Sequence, residues 1–71
     1  MPQRVRLVEP DPILQYFAYS HLRDDLQEVS KPFGEIAHWI VGHLPDNMMR
    51  AVSLVKLLES KDAAVRSAIA R

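Results

Sequence analysis

The side chains best suited to recognising a ligand are an aromatic residue, Tyr19, and a lysine, Lys31. Tyr19 lies just before a predicted helix, and Lys31 is followed by Pro32, where that helix is expected to kink or restart. An aromatic ring can stack on a nucleobase, and a lysine can hold a phosphate or a base edge. Free N–H groups after a restart at Ser30 would add anion-binding capacity. On composition alone, the commoner interpretation is a packed tyrosine and a solvated lysine.

The remaining reactive side chains do not form a catalytic or metal-binding pattern. His38 and His43 are five residues apart, whereas two ligands on one helical face need a spacing of three or four. His21 is remote from both. The chain has no cysteine, only two glycines and therefore no glycine-rich phosphate loop, and no paired acids. We therefore predict a protein that is not an enzyme, with no catalytic residue, no metal and no cofactor.

The small size of the chain predicts that it associates with other copies of itself. Domains of about this length bury only about 60% of their unfolded surface, and many need disulfides, metals or oligomerisation. The absence of cysteine excludes disulfides and fits a reducing compartment. Nine basic and nine acidic residues give a net charge of zero, so binding to a DNA or RNA polymer is not expected.

The first of two long helices is predicted over residues 22–44. Its apolar residues recur in alternating steps of four and three, which is the period of a helix. They are Leu22, Leu26, Val29, Phe33, Ile36 and Ile40. Pro32 interrupts this pattern, which favours a kink or break near residues 30–32, with Ser30 as the N-cap of a restarted helix.

The second helix is predicted to begin at about Asn47 and to continue to residue 71, and it is apolar on too many sides for one short chain to bury. One of its rows is expected at a subunit interface: Val55, Leu58, Asp62, Val65 and Ile69. Asp62 stands where an apolar residue would be expected, as polar residues do when they fix the register of a helix interface. An arginine from another copy would then be its partner.

Two long helices with a short connection predict an all-α fold, an antiparallel helical hairpin that assembles into a homo-oligomer. The hairpin domain is expected over residues 17–71. Residues 1–16 are expected to form an N-terminal arm, because Pro2, Pro10 and Pro12 disfavour helix in the residues before them. For residues 13–20, a short helical turn and an extended segment both remain possible. No membrane span or signal peptide is expected, which indicates a soluble, intracellular protein.

Short motifs along most of the chain match a known family. They lie at residues 17–19, 26–33, 36–37, 44–45, 50–51, 57–59 and 62–66. In these motifs the chain resembles the anti-CBASS cyclic-nucleotide sponges of phages, which share a helical hairpin domain with one class of anti-Thoeris sponge. The resemblance covers residues 17–71 and not the first dozen.

The resemblance implies a small helical protein that forms a hexamer in the cytoplasm of the infected host cell. Members hold cyclic oligonucleotide second messengers in pockets between subunits and do no chemistry on them. Sequestration keeps the host's antiphage effectors inactive. Cyclic dinucleotides such as cyclic GMP–AMP occupy one kind of pocket, and cyclic trinucleotides occupy another.

The same resemblance assigns roles to individual residues. Tyr19 matches the aromatic residue that stacks on a base of the dinucleotide. Lys31 falls at or beside the basic position that contacts the same ligand, which some relatives place where Ser30 stands here. Arg66 is a candidate for the trinucleotide pocket, and Arg71 matches the ending of other members.

Two other functional classes were weighed against a sponge. A small oligomeric helical adaptor could use the apolar surplus of the second helix to bind another protein. A helix-turn-helix DNA-binding module is disfavoured, because Met48 and Met49 stand at the start of the second helix where polar and basic residues would be needed.

Overall fold

The computed structural model describes residues 11–70, and these residues form three helices and no strand. A 3₁₀ helix spans Pro12–Phe17, α1 spans Asp24–His43 and α2 spans Met48–Ala70. α1 and α2 are joined by residues 44–47 and pack against each other as a helical hairpin. The predicted all-α hairpin is thus confirmed, whereas assembly into a homo-oligomer stays a prediction.

The start of α1 is organised by its acidic first turn. Asp24 and Asp25 lie at the positive end of the helix dipole, where negative charge is favourable. Asp25 Oδ1 accepts hydrogen bonds from Arg23 Nε and from the Leu26 backbone N–H, both at 2.9 Å. The hydrogen bond from Arg23 holds the pKa of the Asp25 carboxyl below its usual range. These contacts fix the residue at which α1 begins, shortly after Tyr19.

The break predicted in α1 is wrong, because the helix continues through Ser30 and Pro32 without interruption, whereas the alternative of a kink at Pro32 stays a prediction. Pro32 cannot donate to the carbonyl of Glu28, but both residues are exposed, so water can reach that side of the helix. Ser30 is buried in the helix interior and is not an N-cap. Ile36, predicted in the apolar seam, is exposed. The other seam residues are buried or half-buried, and Phe33 and Ile40 pack against the core. The fully buried residues of α1 are mostly small: Leu26, Ser30, Gly34 and Ala37.

The 3₁₀ helix closes one side of the hairpin. It starts at an N-cap, Asp11, whose Oδ1 accepts a hydrogen bond from the Ile13 backbone N–H at 3.1 Å. The core cluster has four buried side chains: Leu14, Phe17, Ala37 and Leu54. The helical turn is therefore the alternative that the chain adopts at residues 13–17, and the predicted boundary after residue 16 falls inside this docked helix. Residues 1–10 of the predicted arm lie outside the described residues.

α2 divides into a face against α1 and an outer face. It begins close to Asn47 as predicted, and Asn47 caps it, since its Oδ1 accepts from the Arg50 backbone N–H at 2.9 Å. The residues that are buried or half-buried repeat in steps of three and four, as one helical face does. One such row is Leu54, Leu57, Lys61, Ala64 and Ala68, and Arg50, Ser53, Leu58 and Val65 beside it are also half-buried. A lysine therefore occupies a position on the face that packs against the rest of the chain.

Candidate ligand-binding clefts

Two polar clefts contain all the predicted ligand residues that the structure describes. The first, the Tyr19–Lys31 cleft, has a volume of about 370 Å³. Its lining residues are Tyr19, Asp24, Gln27, Glu28 and Lys31. The aromatic residue and the lysine predicted to hold a dinucleotide therefore lie in one cleft, as their assignment requires.

Tyr19 is held in place by the turn that leads into α1. Its carbonyl accepts from the Leu22 backbone N–H at 3.0 Å, and Gln27 Nε2 donates to the Leu22 carbonyl at 2.6 Å. A Cβ built on Gly34 would lie 3.4 Å from Tyr19 Cε2 and 3.2 Å from the Phe17 carbonyl oxygen. Glycine at position 34 therefore lets the tyrosine ring and the preceding backbone lie close to α1.

The charge in the Tyr19–Lys31 cleft does not by itself favour an anion. Lys31 is exposed, and the carboxylates of Asp24 and Glu28 line the same space. One cation against two carboxylates leaves the cleft with a charge of −1 before a ligand enters. A ligand with phosphates would need further positive charge, which a second copy of the chain could supply.

The second, the Ser30–Arg66 cleft, lies between the segment around residues 15–22, α1 and α2, and has a volume of about 470 Å³. Its lining residues are Gln15, Tyr16, Ala18, His21, Leu22, Ser30, Lys61, Asp62, Val65 and Arg66. Lys61 and Arg66 against the single carboxylate of Asp62 give it a charge of +1, with His21 neutral. It is the better of the two clefts for an anion.

Ser30 contributes an unusual group to this cleft. The residue is 1% exposed, and its Oγ has no hydrogen-bond partner within residues 11–70. Most buried polar groups in proteins are hydrogen-bonded, and leaving one unpaired costs about 1–3 kcal/mol. The hydroxyl thus lies beneath the wall of the cleft, where a ligand would contact it only after a neighbouring side chain moves.

Arg66, the predicted trinucleotide residue, is exposed at the rim of the same cleft. Arg71 lies outside the described residues. The predicted ligand residues thus lie in two pairs: Tyr19 and Lys31 line one cleft, and Ser30 and Arg66 line the other. Ser30 does not line the Tyr19–Lys31 cleft, although some relatives would place the basic dinucleotide residue at its position.

The predicted interface row lies mainly on the outer side of α2. Val55, Asp62 and Ile69 are exposed, while Leu58 and Val65 are half-buried within the chain. Within the chain, Asp62 Oδ1 lies 3.1 Å from Lys61 Nζ, and the predicted pairing with an arginine of another copy stays a prediction. The contact between copies itself stays a prediction.

Sequence reasoning missed Lys61 and a separate apolar hollow on α2. The signal for Lys61 was its register, because it falls in the same three–four spacing as Leu54, Leu57 and Ala64. The hollow, about 300 Å³ in volume, is lined by Met48, Ala51, Val52, Val55 and Lys56. The exposed methionines at positions 48 and 49 were its signal.

Comparison of the chain with protein-family models, curated proteins and solved structures gives no match. Among the described residues, no helix is both long enough and apolar enough to cross a membrane. The resemblance to phage sponges therefore stays a prediction from the sequence motifs.

Proposed function

We propose that this protein is a phage immune-evasion protein that binds and sequesters cyclic oligonucleotide second messengers without degrading them. The observation that carries the proposal is the pairing of its predicted ligand residues. Tyr19 shares a cleft with Lys31, and Ser30 shares another with Arg66. The first pair is the one that the sequence assigns to a single ligand, so it is the pair that supports the proposal.

The chemistry of the clefts supports an anionic ligand with aromatic bases. Each cleft combines tyrosine with a cation: Tyr19 with Lys31 in one, and Tyr16 with Arg66 in the other. Stacked aromatics and cations are the groups that hold single-stranded nucleotides. Both volumes lie within the range of about 300–1,000 Å³ that is usual for small-molecule sites.

The energetics favour sites completed by a second copy of the chain. Stacking contributes about 1–3 kcal/mol per base, whereas nanomolar binding needs about 12 kcal/mol. The charge of the Tyr19–Lys31 cleft, −1 on one chain, adds nothing to this for a phosphate. Positive charge and enclosure from neighbouring copies of a homo-oligomer, which we take to be a hexamer, would supply the rest.

The second candidate function is a small oligomeric helical adaptor. It is favoured by the apolar hollow on α2, whose lining residue Met48 is 78% exposed, and by the neighbouring Met49, which is 68% exposed. Methionine-rich surfaces can adapt to varied apolar partners. In this case the two polar clefts would be incidental to function.

Calorimetric titration with cyclic di- and trinucleotides tests the proposal. We expect the wild-type protein to bind at least one of them, and Tyr19→Leu to weaken cyclic dinucleotide binding about 5- to 150-fold through the loss of stacking. Lys31→Met should also weaken it, while Lys56→Met, a lysine outside both polar clefts, should not. Arg66→Met should act on the ligand of the Ser30–Arg66 cleft.

Two results would contradict the proposal. One is the absence of binding to every cyclic oligonucleotide tested by folded wild-type protein. The other is equal weakening by Lys31→Met and Lys56→Met, because this would mean that general charge, and not the cleft, determines binding.

A further inference from the structure

Lys61 and Asp62 form a charged pair at the Ser30–Arg66 cleft. The Lys61 side chain is only 14% exposed, and its Nζ lies 3.1 Å from Asp62 Oδ1. The Asp62 side chain is 55% exposed. The lysine is therefore fixed by burial of its stem, whereas the carboxylate reaches it from the solvent side.

The Lys61 ammonium group faces the cleft, where an anion close to it is favourable. Within residues 11–70, Asp62 is the carboxylate that pairs with Lys61. Because Asp62 is exposed, it can move into water at little cost and leave the ammonium group to another anion.

A second group at the cleft points to the same anion. Ser30 Oγ is buried and unpaired within the described residues, although its residue lines the cleft together with Lys61. A hydroxyl and an ammonium group can both donate to phosphate oxygens. Arg66, at the rim, could hold a further phosphate of the same ligand.

We propose that Lys61 binds a phosphate of the ligand and that Asp62 is its internal counter-ion, which the phosphate displaces. This inference rests on the proposed function, because it takes a phosphodiester ligand in the Ser30–Arg66 cleft. Asp62 then sets a threshold: a ligand binds only if its phosphate replaces the carboxylate at Lys61. Uncharged nucleosides of similar shape are excluded, since they leave the Lys61–Asp62 pair intact.

The test measures binding of cyclic tri-AMP and 3′,3′-cyclic GMP–AMP to Lys61→Met and Asp62→Asn variants. Methionine keeps most of the buried lysine stem, and its loss of charge should weaken binding at the Ser30–Arg66 cleft about tenfold or more. Asp62→Asn removes the competitor and should strengthen binding about two- to fivefold. The gain in ligand affinity of Asp62→Asn over wild type should be smaller at high salt, because screening weakens the added attraction between Lys61 and the phosphate.

Matched controls exist on the same helix. Lys56 and Glu59 form an exposed pair outside the cleft, with 3.9 Å between Lys56 Nζ and Glu59 Oε1. Lys56→Met and Glu59→Gln make the same changes in net charge and should leave affinity within about twofold. Circular dichroism and solution mass of each variant confirm that fold and assembly are retained.

The outcomes separate the two proposals. Weaker binding by Lys61→Met together with tighter binding by Asp62→Asn supports the inference. If wild type binds but Asp62→Asn is unchanged or weaker, the counter-ion role is overturned while the sponge function stands. If Lys61→Met fails to fold, the sign of the Asp62→Asn effect decides alone. No binding by wild type overturns both proposals.

Discussion

At the scale of single residues, the most informative group is the buried hydroxyl of Ser30. Serine in a helix often bonds to a carbonyl one turn earlier, as Ser53 Oγ does to the Arg50 carbonyl at 2.7 Å. Ser30 Oγ makes no such bond within residues 11–70. The free protein therefore carries the cost of an unpaired buried group, which the proposed ligand would recover on binding.

Comparison of Ser30→Ala with Ser53→Ala isolates this effect. Both substitutions gain the same helix propensity, but only Ser53→Ala removes a hydrogen bond. We expect Ser30→Ala to be the more stable variant by about 1 kcal/mol in urea denaturation, and to bind the ligand of the Ser30–Arg66 cleft more weakly. A Ser30→Ala protein that is the less stable of the two would show that the hydroxyl has a partner in the free protein.

At the scale of elements, Arg50 joins three parts of the chain. Its guanidinium donates to Asp11 Oδ2 at 3.1 Å and to the Val41 and Leu44 carbonyls at 3.2 and 3.3 Å. Asp46 Oδ1 lies 3.3 Å from the same group, and the Arg50 side chain is only 11% exposed. The arginine thus ties the start of the 3₁₀ helix to the end of α1 and to the connection. These contacts hold the docked segment that completes the Ser30–Arg66 cleft.

We expect Arg50→Met to lower the free energy of unfolding by about 2 kcal/mol, because it leaves several partly buried acceptors without a charged donor. Arg50→Lys should restore only part of this, since lysine cannot donate in several fixed directions. The control is Arg23→Met, which breaks the exposed pair with Asp25 and should cost less than about 1 kcal/mol. Urea denaturation at one protein concentration measures all three. Equal losses for Arg50→Met and Arg23→Met would rule out this role of Arg50.

The sequence predicted the two long helices well because their signals are local. Apolar periodicity and the Asn47 cap placed both helices within about two residues of their observed ends. The error at Pro32 arose because local propensity indicated a break, whereas packing of small residues such as Ser30 and Gly34 favours one continuous helix. Arg50 was not identified as a tie because its partner Asp11 is 39 residues away in the sequence.

The candidate clefts were predictable only in part, because sequence motifs indicate single residues but not the side-chain positions around them. Motifs identified Tyr19 and Lys31, and the structure shows that they share a cleft. The exposure of Asp62 and its pairing with Lys61 depend on side-chain positions that a helical period does not determine. The sequence does signal Lys61, because it is a charged residue in an otherwise apolar row.

At the scale of the whole molecule, the hairpin leaves much apolar surface uncovered. It measures 50 × 24 × 15 Å, and its core cluster contains only four buried side chains. Trp39 is 54% and Ile69 55% exposed, in addition to the methionines at the start of α2. Surfaces of this kind usually mark interaction sites. Association of several copies, as proposed, would cover them.

Native mass spectrometry after incubation with cyclic GMP–AMP and cyclic tri-AMP tests the central claim, sequestration by an assembly, most directly. The proposal predicts a homo-oligomer, expected to be a hexamer, that carries whole numbers of cyclic oligonucleotides. Denaturation should then release ligand with the mass of the cyclic starting material. A monomer or dimer without bound nucleotide would contradict the claim, as would release of a linear product one water heavier than the ligand added.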